Sequence, residues 1–273
     1  MKIGAVERHR DREKGSLIYP VYSRRSCGLS VGINLFPDRK LCSFDCPYCE
    51  VFPFEARHSF SLPLMETALI EALSDAKEHN ITVRDICFSG NGEPTLSSHF
   101  PDTLESAFLI RDREAPGVDM VLISNGTGLL DGKIFELLHQ AAVKDNGLRI
   151  WLKLDAGTPG WYKAMNRSSV SYDLLLEKIR AFVKCTPVTL QTMICAVDGL
   201  SPPADEEKAW ITLVKELALS AAELRGVQVY GKARPAPEDP LAAALPVAFL
   251  DERAVSLRAA LASAGKDVAV RVY

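Results

Sequence analysis

Three cysteines within eight residues are the strongest chemical feature of this sequence. They are Cys42, Cys46 and Cys49, spaced C-x3-C-x2-C within LCSFDCPYCE. A 4Fe–4S cluster contains four irons and usually takes four cysteine thiolates. Three closely spaced thiolates leave one iron without a protein ligand, so that a small molecule can chelate it and receive an electron from it. The spacing therefore indicates an iron–sulfur site with one open iron.

A zinc site is the alternative for these cysteines, with His58 as the fourth ligand. Structural zinc motifs usually pair one C-x2-4-C with a second pair, and no second C-x-x-C follows here. The remaining cysteines stand alone: Cys27, Cys87, Cys185 and Cys195. An odd, uneven set argues against a disulfide framework. We therefore favour the cluster and keep a non-redox zinc-binding scaffold as the alternative from another class.

A glycine-rich turn, FSGNGEPTL at 88–96, is the second candidate motif. Glycines let the backbone approach a ligand closely, and a proline after Glu93 restricts the exit from the turn. Taken alone, this segment is equally consistent with a structural turn between a strand and a helix. Its candidate ligand-binding residues are Asn91, Gly92, Glu93 and Pro94.

Polar residues also follow three further strand-like runs, LISNG, KLDAG and LQTMI. Ligands of parallel α/β proteins gather at the carboxyl ends of strands, although each residue alone could be a satisfied polar group. These candidates are Ser124, Asn125, Lys153 and Asp155. Gln191 and Arg234 are weaker candidates for contacting a substrate, and Arg234 lies in KARPAP.

The cysteine spacing, with Tyr48 just before the third cysteine, resembles the signature of the radical S-adenosylmethionine (radical SAM) superfamily. The resemblance implies that the amine and carboxylate of the methionyl group chelate the open iron. Reductive cleavage then gives methionine and a 5′-deoxyadenosyl radical, which abstracts hydrogen from a substrate. It also implies that Tyr48 contacts the adenine through its backbone and shields the cluster with its ring.

The glycine turn lies where that superfamily carries a G-G-E-P motif, which binds the methionyl amino group. Asn91 stands in place of the first glycine, so that Gly92, Glu93 and Pro94 match. Ser124 and Asn125 resemble positions near the ribose or the methionyl carboxylate. Lys153 suits a carboxylate, and Asp155 suits a hydroxyl or an amine. The resemblance implies two cofactors, a 4Fe–4S cluster and S-adenosyl-L-methionine.

Four segments together are similar to stand-alone iron–sulfur oxidoreductases related to wyosine-base synthases, which rebuild a guanine of tRNA. They are GINLFPDRKLCSFDCPYC, FSGNGEPTL, KLDAG and the closing ARP-x-P. The second cluster of that group needs three more N-terminal cysteines, and Cys27 alone is available. The implied activity is a single-cluster radical SAM enzyme that acts on a nucleoside or RNA base. A peptide, a protein or a small metabolite is the alternative substrate, and flavodoxin or ferredoxin is the type of electron donor expected.

Strand-like runs alternate with helical stretches along most of the chain, which predicts βαβ units and a parallel sheet. The predicted strands are 31–36, 83–90, 119–126, 148–155, 188–195 and 227–231, and the helices are 62–79, within 98–111, 131–142, 172–184 and 205–224. Periodicity does not distinguish a six-unit open barrel from a doubly wound sheet. In LRIWLKLD, however, Trp151, Lys153 and Asp155 share one face, which suits a polar barrel lumen. We predict an α/β fold, a partial (β/α)6 TIM-type barrel with a short C-terminal extension.

The predicted organisation is a basic N-terminal extension at 1–30, the barrel core at 31–237 and a C-terminal helix and edge or lid strand at 238–273. The basic residues near the N-terminus could meet a phosphate-bearing substrate or form a solvated arm. The chain has 273 residues, 47% of them hydrophobic, and a net charge of -3. No apolar run is long enough for a membrane span, and the first residues do not resemble a signal peptide. We therefore expect a cytoplasmic protein without a membrane partner.

Overall fold

The computed structural model describes residues 16–237 and 241–273. The chain divides into two compact units. The first comprises Met1–Cys42, Pro53–Ser124 and Lys144–Arg149, and the second comprises Ser43–Phe52, Asn125–Val143 and Ile150–Tyr273. The most N-terminal part of the predicted basic extension and the first three residues of the predicted C-terminal extension lie outside the described residues.

The first unit contains four strands, in the order β1-β2-β3-β4 across its part of the sheet. Its elements are β1 (Ile18–Ser23), β2 (Gly28–Ile33), α1 (Leu62–Glu78), β3 (Val83–Phe88), a 3-10 turn (Pro94–Leu96), α2 (Phe100–Glu114) and β4 (Asp119–Ser124). β1 runs antiparallel to β2, whereas β2, β3 and β4 are parallel. The interior of β2 and the second half of β3 are buried, as expected for parallel strands covered on both faces.

The second unit contains a second parallel strand series, in the order β5-β6-β8-β10. Its elements are a 3-10 turn (Thr127–Leu130), α3 (Gly132–Val143), β5 (Leu148–Lys153, whose first two residues cluster with the first unit), α4 (Pro159–Met165), α5 (Tyr172–Val183), β6 (Val188–Ile194), β7 (Ala196–Val197), α6 (Ala204–Ser220), β8 (Leu224–Gly231), β9 (Ala242–Ala243), α7 (Val247–Ser263) and β10 (Val270–Val272). β7 and β9 form a short antiparallel pair of their own.

The alternation of strands and helices confirms the predicted α/β class. The first parallel strand lies at Gly28–Ile33, three residues before its predicted position. α6 ends at Ser220, because the chain must leave the helix before β8 begins at Leu224. β10 pairs in parallel with β8 at the end of its series, as the predicted edge strand. β1 and α4 were not predicted, and the division of the chain at residues 30 and 237 stays a prediction.

Within residues 16–237 and 241–273, no helix is both long enough and apolar enough to cross a membrane.

Candidate active site

The predicted site residues fall into both units: Cys42 and the glycine turn belong to the first, and Cys46 and Cys49 belong to the second. Each group is described within its own unit.

The segment before Cys42 pairs with the glycine turn through two backbone hydrogen bonds. The Leu41 N–H donates to the Asn91 carbonyl at 3.1 Å, and the Glu93 N–H donates to the Leu41 carbonyl at 2.9 Å. A Cβ atom on Gly92 would overlap the Leu41 carbonyl oxygen. Glycine is therefore required at this position by the close approach of two backbones.

Asn91, the residue before Gly92, braces the segment that leads into the cysteine loop (residues 42–49). Its side-chain nitrogen donates to the Phe36 carbonyl at 3.0 Å, and its backbone N–H donates to the Asn34 side-chain oxygen at 3.2 Å. Asn34 is only 3% exposed. The asparagine thus supplies a side-chain hydrogen bond that glycine cannot make.

Glu93 presents a buried carboxylate where β3 and β4 end. Its Oε1 accepts hydrogen bonds from the Thr95 hydroxyl at 2.6 Å, the Thr95 N–H at 3.3 Å and the Ser124 hydroxyl at 2.8 Å. Pro94 begins the 3-10 turn that directs Thr95 back to Glu93. A carboxylate oriented in this way is suited to bind an ammonium group.

In the second unit, the cysteine loop turns tightly around Cys46. The Cys49 N–H donates to the Cys46 carbonyl at 3.0 Å, and the Asp45 N–H donates to the Asn166 carbonyl at 2.9 Å. The Cys46 sulfur accepts the Asn166 side-chain N–H at 3.7 Å. Burial raises the pKa of the Cys46 thiol to about 12, against a smaller lowering by Lys153.

All three loop cysteines are free thiols: Cys46 is buried, and Cys42 and Cys49 are half-buried. In the part of the chain that the structure describes, no three Cys, His, Asp or Glu side chains form a group that could hold a metal ion. His58 is exposed. The residue types, three free thiols within eight residues, are nevertheless the ligands that iron–sulfur clusters take.

Asp155 is the centre of a buried polar network in the second unit. It is 5% exposed and accepts the Tyr48 hydroxyl at 2.5 Å, the Asn166 side-chain nitrogen at 2.9 Å and the Met193 N–H at 2.9 Å. The Lys153 ammonium lies 3.2 Å from the same carboxylate. The network thus joins Tyr48, two residues from Cys46, to the ends of β5 and β6.

Lys153 lies between two aromatic rings. Its ammonium is 5.0 Å from the Tyr48 ring centroid and 5.3 Å from that of Tyr230, and it donates to the Tyr230 hydroxyl at 2.6 Å. Burial is the largest single influence and opposes its charge, but Asp155, Tyr230 and Cys46 together outweigh burial and raise the pKa of Lys153. Burial, followed by Asp155, raises the pKa of Tyr48 well above its ordinary value. At neutral pH Lys153 is therefore charged and Tyr48 is neutral.

Asn125 is hydrogen-bonded to the residue that follows Cys42. Its side-chain nitrogen donates to the Ser43 hydroxyl at 3.0 Å, and its side-chain oxygen accepts the Thr127 N–H at 2.9 Å. Ser43 and Thr127 also share a hydrogen bond of 2.5 Å between their hydroxyls. This triad holds the residue that follows Cys42.

Gln191 and Arg234 both make contacts within the second unit. Gln191 is buried and donates to the Gln228 side chain at 2.6 Å. Arg234 pairs with Glu50, directly after Cys49, at 2.7 Å. Among the described side chains, the Nε atom of Arg234 is one of the buried atoms without a hydrogen-bond partner. Arg234 thus braces the end of the cysteine loop, and contact with a substrate stays a prediction for both residues.

Sequence reasoning missed Asn166 and Tyr230, which contact the predicted residues. Asn166 follows the unpredicted helix α4, and its partner Cys46 lies 120 positions away in the chain. Tyr230 is near the carboxyl end of β8. The rule that selected Lys153 and Asp155 at strand ends would also have selected Tyr230.

No protein-family model matches the chain. A UPF0026 protein of Helicobacter pylori (strain ATCC 700392 / 26695) is 26% identical over 209 residues, which cover 75% of this chain and 64% of that protein. The UPF0026 protein slr1464 of Synechocystis is 28% identical over 180 residues, 64% of this chain and 63% of that protein. The matched region therefore spans slightly less than two thirds of each relative.

The solved structures that resemble the chain cover a larger share of it than these sequence relatives do. SuiB of Streptococcus suis bound to S-adenosylmethionine has a TM-score of 0.65 at 12% identity, covering 86% of this chain and 48% of SuiB. A radical SAM methyltransferase from Sphaerobacter thermophilus has a TM-score of 0.61 at 15% identity, covering 93% of this chain and 68% of that protein. This likeness concerns the fold, and it confirms the predicted α/β class of the partial (β/α)6 TIM type.

Proposed function

We propose that this protein is a radical SAM enzyme in which Cys42, Cys46 and Cys49 hold a 4Fe–4S cluster. The observation that carries the proposal is the set of three free thiols in C-x3-C-x2-C spacing, on a loop whose Leu41 pairs with Gly92 of the glycine turn. The shared fold supports it. With S-adenosylmethionine bound, the cluster supplies the electron that yields methionine and a 5′-deoxyadenosyl radical.

In this proposal Glu93 binds the methionyl ammonium group. Its carboxylate is buried, and the hydroxyls of Thr95 and Ser124 orient it. These hydrogen bonds fix the direction of the carboxylate. Asn91, Gly92 and Pro94 act by placing Glu93, and Ser124 and Asn125 lie beside the ribose or the methionyl carboxylate.

Glu93 is proposed to bind a cation, and Lys153 is proposed to bind an anion. The anion is a carboxylate of the cofactor or of the substrate. The raised pKa of Lys153 keeps it charged at neutral pH. The Oδ2 atom of Asp155 contacts both the Lys153 ammonium and the Tyr48 hydroxyl. In this proposal Tyr48 contacts the adenine through its backbone and shields the cluster with its ring.

We propose a nucleoside or RNA base as the substrate, in line with the sequence resemblance to the wyosine-base synthase branch. A peptide is the second candidate, because SuiB of similar fold is known in a structure bound to its precursor peptide SuiA. Reductive cleavage consumes single electrons, so we further propose a cytoplasmic one-electron donor such as flavodoxin or ferredoxin.

Anaerobic reconstitution tests the cluster. The wild-type protein should take up about four irons per chain, and Cys46→Ala should lose them. Cys185→Ala is the matched control, because Cys185 is an exposed thiol outside the loop. One zinc per chain without iron would instead support the zinc scaffold and end the proposal.

Formation of 5′-deoxyadenosine after reduction with dithionite tests the radical chemistry. The wild-type protein should form it, and a yield no greater than that of Cys46→Ala would contradict the proposal. For the substrate, deuterium-labelled cell extract is divided into RNA, protein and small-molecule fractions. Deuterium should enter 5′-deoxyadenosine from the RNA fraction, whereas transfer from the protein fraction alone would favour the peptide.

A further inference from the structure

Asn166 is a buried amide that touches a cysteine of the loop. It is 1% exposed, and its side-chain nitrogen lies 3.7 Å from the Cys46 sulfur. The same nitrogen lies 2.9 Å from Asp155 Oδ2. Both contacts lie within the second unit.

The Asp155 carboxylate determines which end of the amide faces the sulfur. A carboxylate oxygen accepts hydrogen bonds, so the amide nitrogen of Asn166, and not its oxygen, must face it. That nitrogen carries two hydrogens: one is directed to Asp155, and the other is available to the sulfur. Asp155 is itself held by Tyr48, Lys153 and the Met193 backbone.

The backbone of Asn166 is also fixed relative to the cysteine loop. Its N–H donates to the Tyr162 carbonyl at 2.8 Å as α4 ends, and its carbonyl accepts the Asp45 N–H at 2.9 Å. Asp45 immediately precedes Cys46. The main chain and the side chain of Asn166 therefore hold neighbouring atoms of the same loop, which leaves the amide little freedom to turn away from the sulfur.

We infer that Asn166 is a positioning residue that sets the reduction potential of the cluster through the sulfur of Cys46. The inference rests on the proposed function, since it requires Cys46 to be a cluster ligand. Hydrogen bonds to cysteine sulfurs are among the factors that tune iron–sulfur potentials. A reduced cluster carries one more negative charge, so an N–H donor to its sulfur stabilises the reduced state and raises the potential. Cys46 is buried, where water provides little of this stabilisation.

Two variants without the donor test the inference, Asn166→Leu and Asn166→Ala. They differ in volume, so that one can be measured if the other does not fold, and both keep the backbone bond to Asp45. An anaerobic redox titration of the reconstituted protein, followed by electron paramagnetic resonance, gives the reduced fraction at each applied potential. We expect the ratio of reduced to oxidised cluster at a fixed potential to fall about tenfold, which corresponds to about 59 mV for one electron.

Two further variants separate the sulfur contact from general disturbance of the core. Asn166→Gln keeps an amide donor and should restore most of the ratio. Gln228→Leu removes another buried amide of the second unit, whose partner is Gln191 rather than a cysteine. It should leave the ratio unchanged even where it lowers the melting temperature.

The outcomes distinguish this inference from the proposed function. A wild-type protein that takes up no cluster overturns both. A wild-type protein with a cluster, and Leu and Ala variants with the same potential, overturns the role of Asn166 and leaves the proposed function intact. A folded Leu or Ala variant that holds no cluster also contradicts the inference, because tuning one sulfur does not require Asn166 for cluster retention.

Discussion

Each unit places a buried carboxylate at a strand end, and the two carboxylates have different kinds of partners. Glu93 of the first unit accepts from the hydroxyls of Thr95 and Ser124. Asp155 of the second accepts from a phenol and an amide and is paired with Lys153. Hydroxyl donors and a backbone amide thus contact the first carboxylate, whereas the second carboxylate is ion-paired with an ammonium. In the proposed function, Glu93 therefore binds the cation and Asp155 supports the site.

Near each of these carboxylates lies a glycine that touches a backbone: Gly92 precedes Glu93, and Gly157 lies two residues after Asp155. A Cβ atom on Gly92 would overlap the Leu41 carbonyl, and one on Gly157 would overlap the backbone of Trp210. Each glycine therefore allows close packing of two chain segments, whatever ligand lies nearby.

Removing the ion-paired carboxylate should have the largest effect on stability. Asp155→Ala leaves the Lys153 ammonium buried without its partner, and loss of one member of a buried pair costs about 3–5 kcal/mol. Urea denaturation should detect this change. Glu216→Ala breaks the half-exposed pair with Arg180 and should cost at most about 1 kcal/mol. Equal losses in the two variants would mean that the Asp155 pair behaves like a surface pair.

Substitution of the two close-packed glycines should cause the next largest loss of stability. Gly92→Ala and Gly157→Ala each force a methyl group against a backbone, and overpacking of this kind costs about 1–3 kcal/mol or slightly more. Gly132→Ala is the control, because a Cβ atom there meets no atom within 4 Å. Thermal melting of the three variants measures the effect. If the Gly92→Ala protein were as stable as the control, the Leu41 backbone would be able to shift away from the added methyl group at little cost in free energy.

Glu93→Gln should affect ligand binding more than folding. The amide keeps an oxygen for Ser124 and Thr95, so we expect a stability loss of about 1–2 kcal/mol. A charge-assisted hydrogen bond contributes about 1.5–3 kcal/mol, which predicts at least a tenfold loss in S-adenosylmethionine affinity by calorimetry of the reconstituted protein. Unchanged affinity would remove Glu93 from the proposed binding site.

The smallest predicted effect is a loss of folding stability at high pH. We expect it in both units, because each unit buries a thiol outside the cysteine loop. Burial raises the pKa of Cys87 in the first unit and of Cys195 in the second to about 12. An unfolded thiol ionises near pH 8.5, so the unfolded state binds fewer protons above this pH and the folded state loses stability as pH rises. The Cys87→Ala variant has no thiol at this position, so its stability should not fall with pH for this reason.

The measurement is the difference in unfolding free energy between the wild-type protein and Cys87→Ala. It should narrow by about 1.3 kcal/mol from pH 8 to pH 9.5. Cys195→Ala should behave in the same way. Cys185→Ala, at an exposed thiol, should show a much smaller change, and a slope as steep as that of Cys87→Ala would exclude burial as the cause.

The periodicity of the sequence was sufficient to predict the strand and helix series, because it depends on neighbours along the chain. β5 and β6 could be located from alternating residues, and α1 from its helical spacing. β1 was missed because Pro20 interrupts a short run within a basic arm, although proline is tolerated in a strand at the end of a series. α4 was missed because seven residues are too few for a clear helical pattern.

The candidate site could be predicted only as separate motifs. The cysteine spacing and the G-N-G-E-P turn are local patterns, so both were visible in the sequence. The bond from Tyr48 to Asp155 joins residues 107 positions apart, and the sulfur contact of Asn166 spans 120. No local pattern encodes such pairs, which form only when the second unit folds.

The pairing of Leu41 with Gly92 offers a way to follow assembly of the proposed cluster site by amide exchange. Its two backbone amides, those of Leu41 and Glu93, are closed by hydrogen bonds within the first unit, and Leu41 is covalently next to Cys42. Cluster loading that fixes Cys42 should also suppress local opening of this pair, since a ligand stabilises the state that it binds. Hydrogen–deuterium exchange at these two amides should therefore slow as iron is incorporated, and it can follow assembly of the site without any knowledge of the substrate.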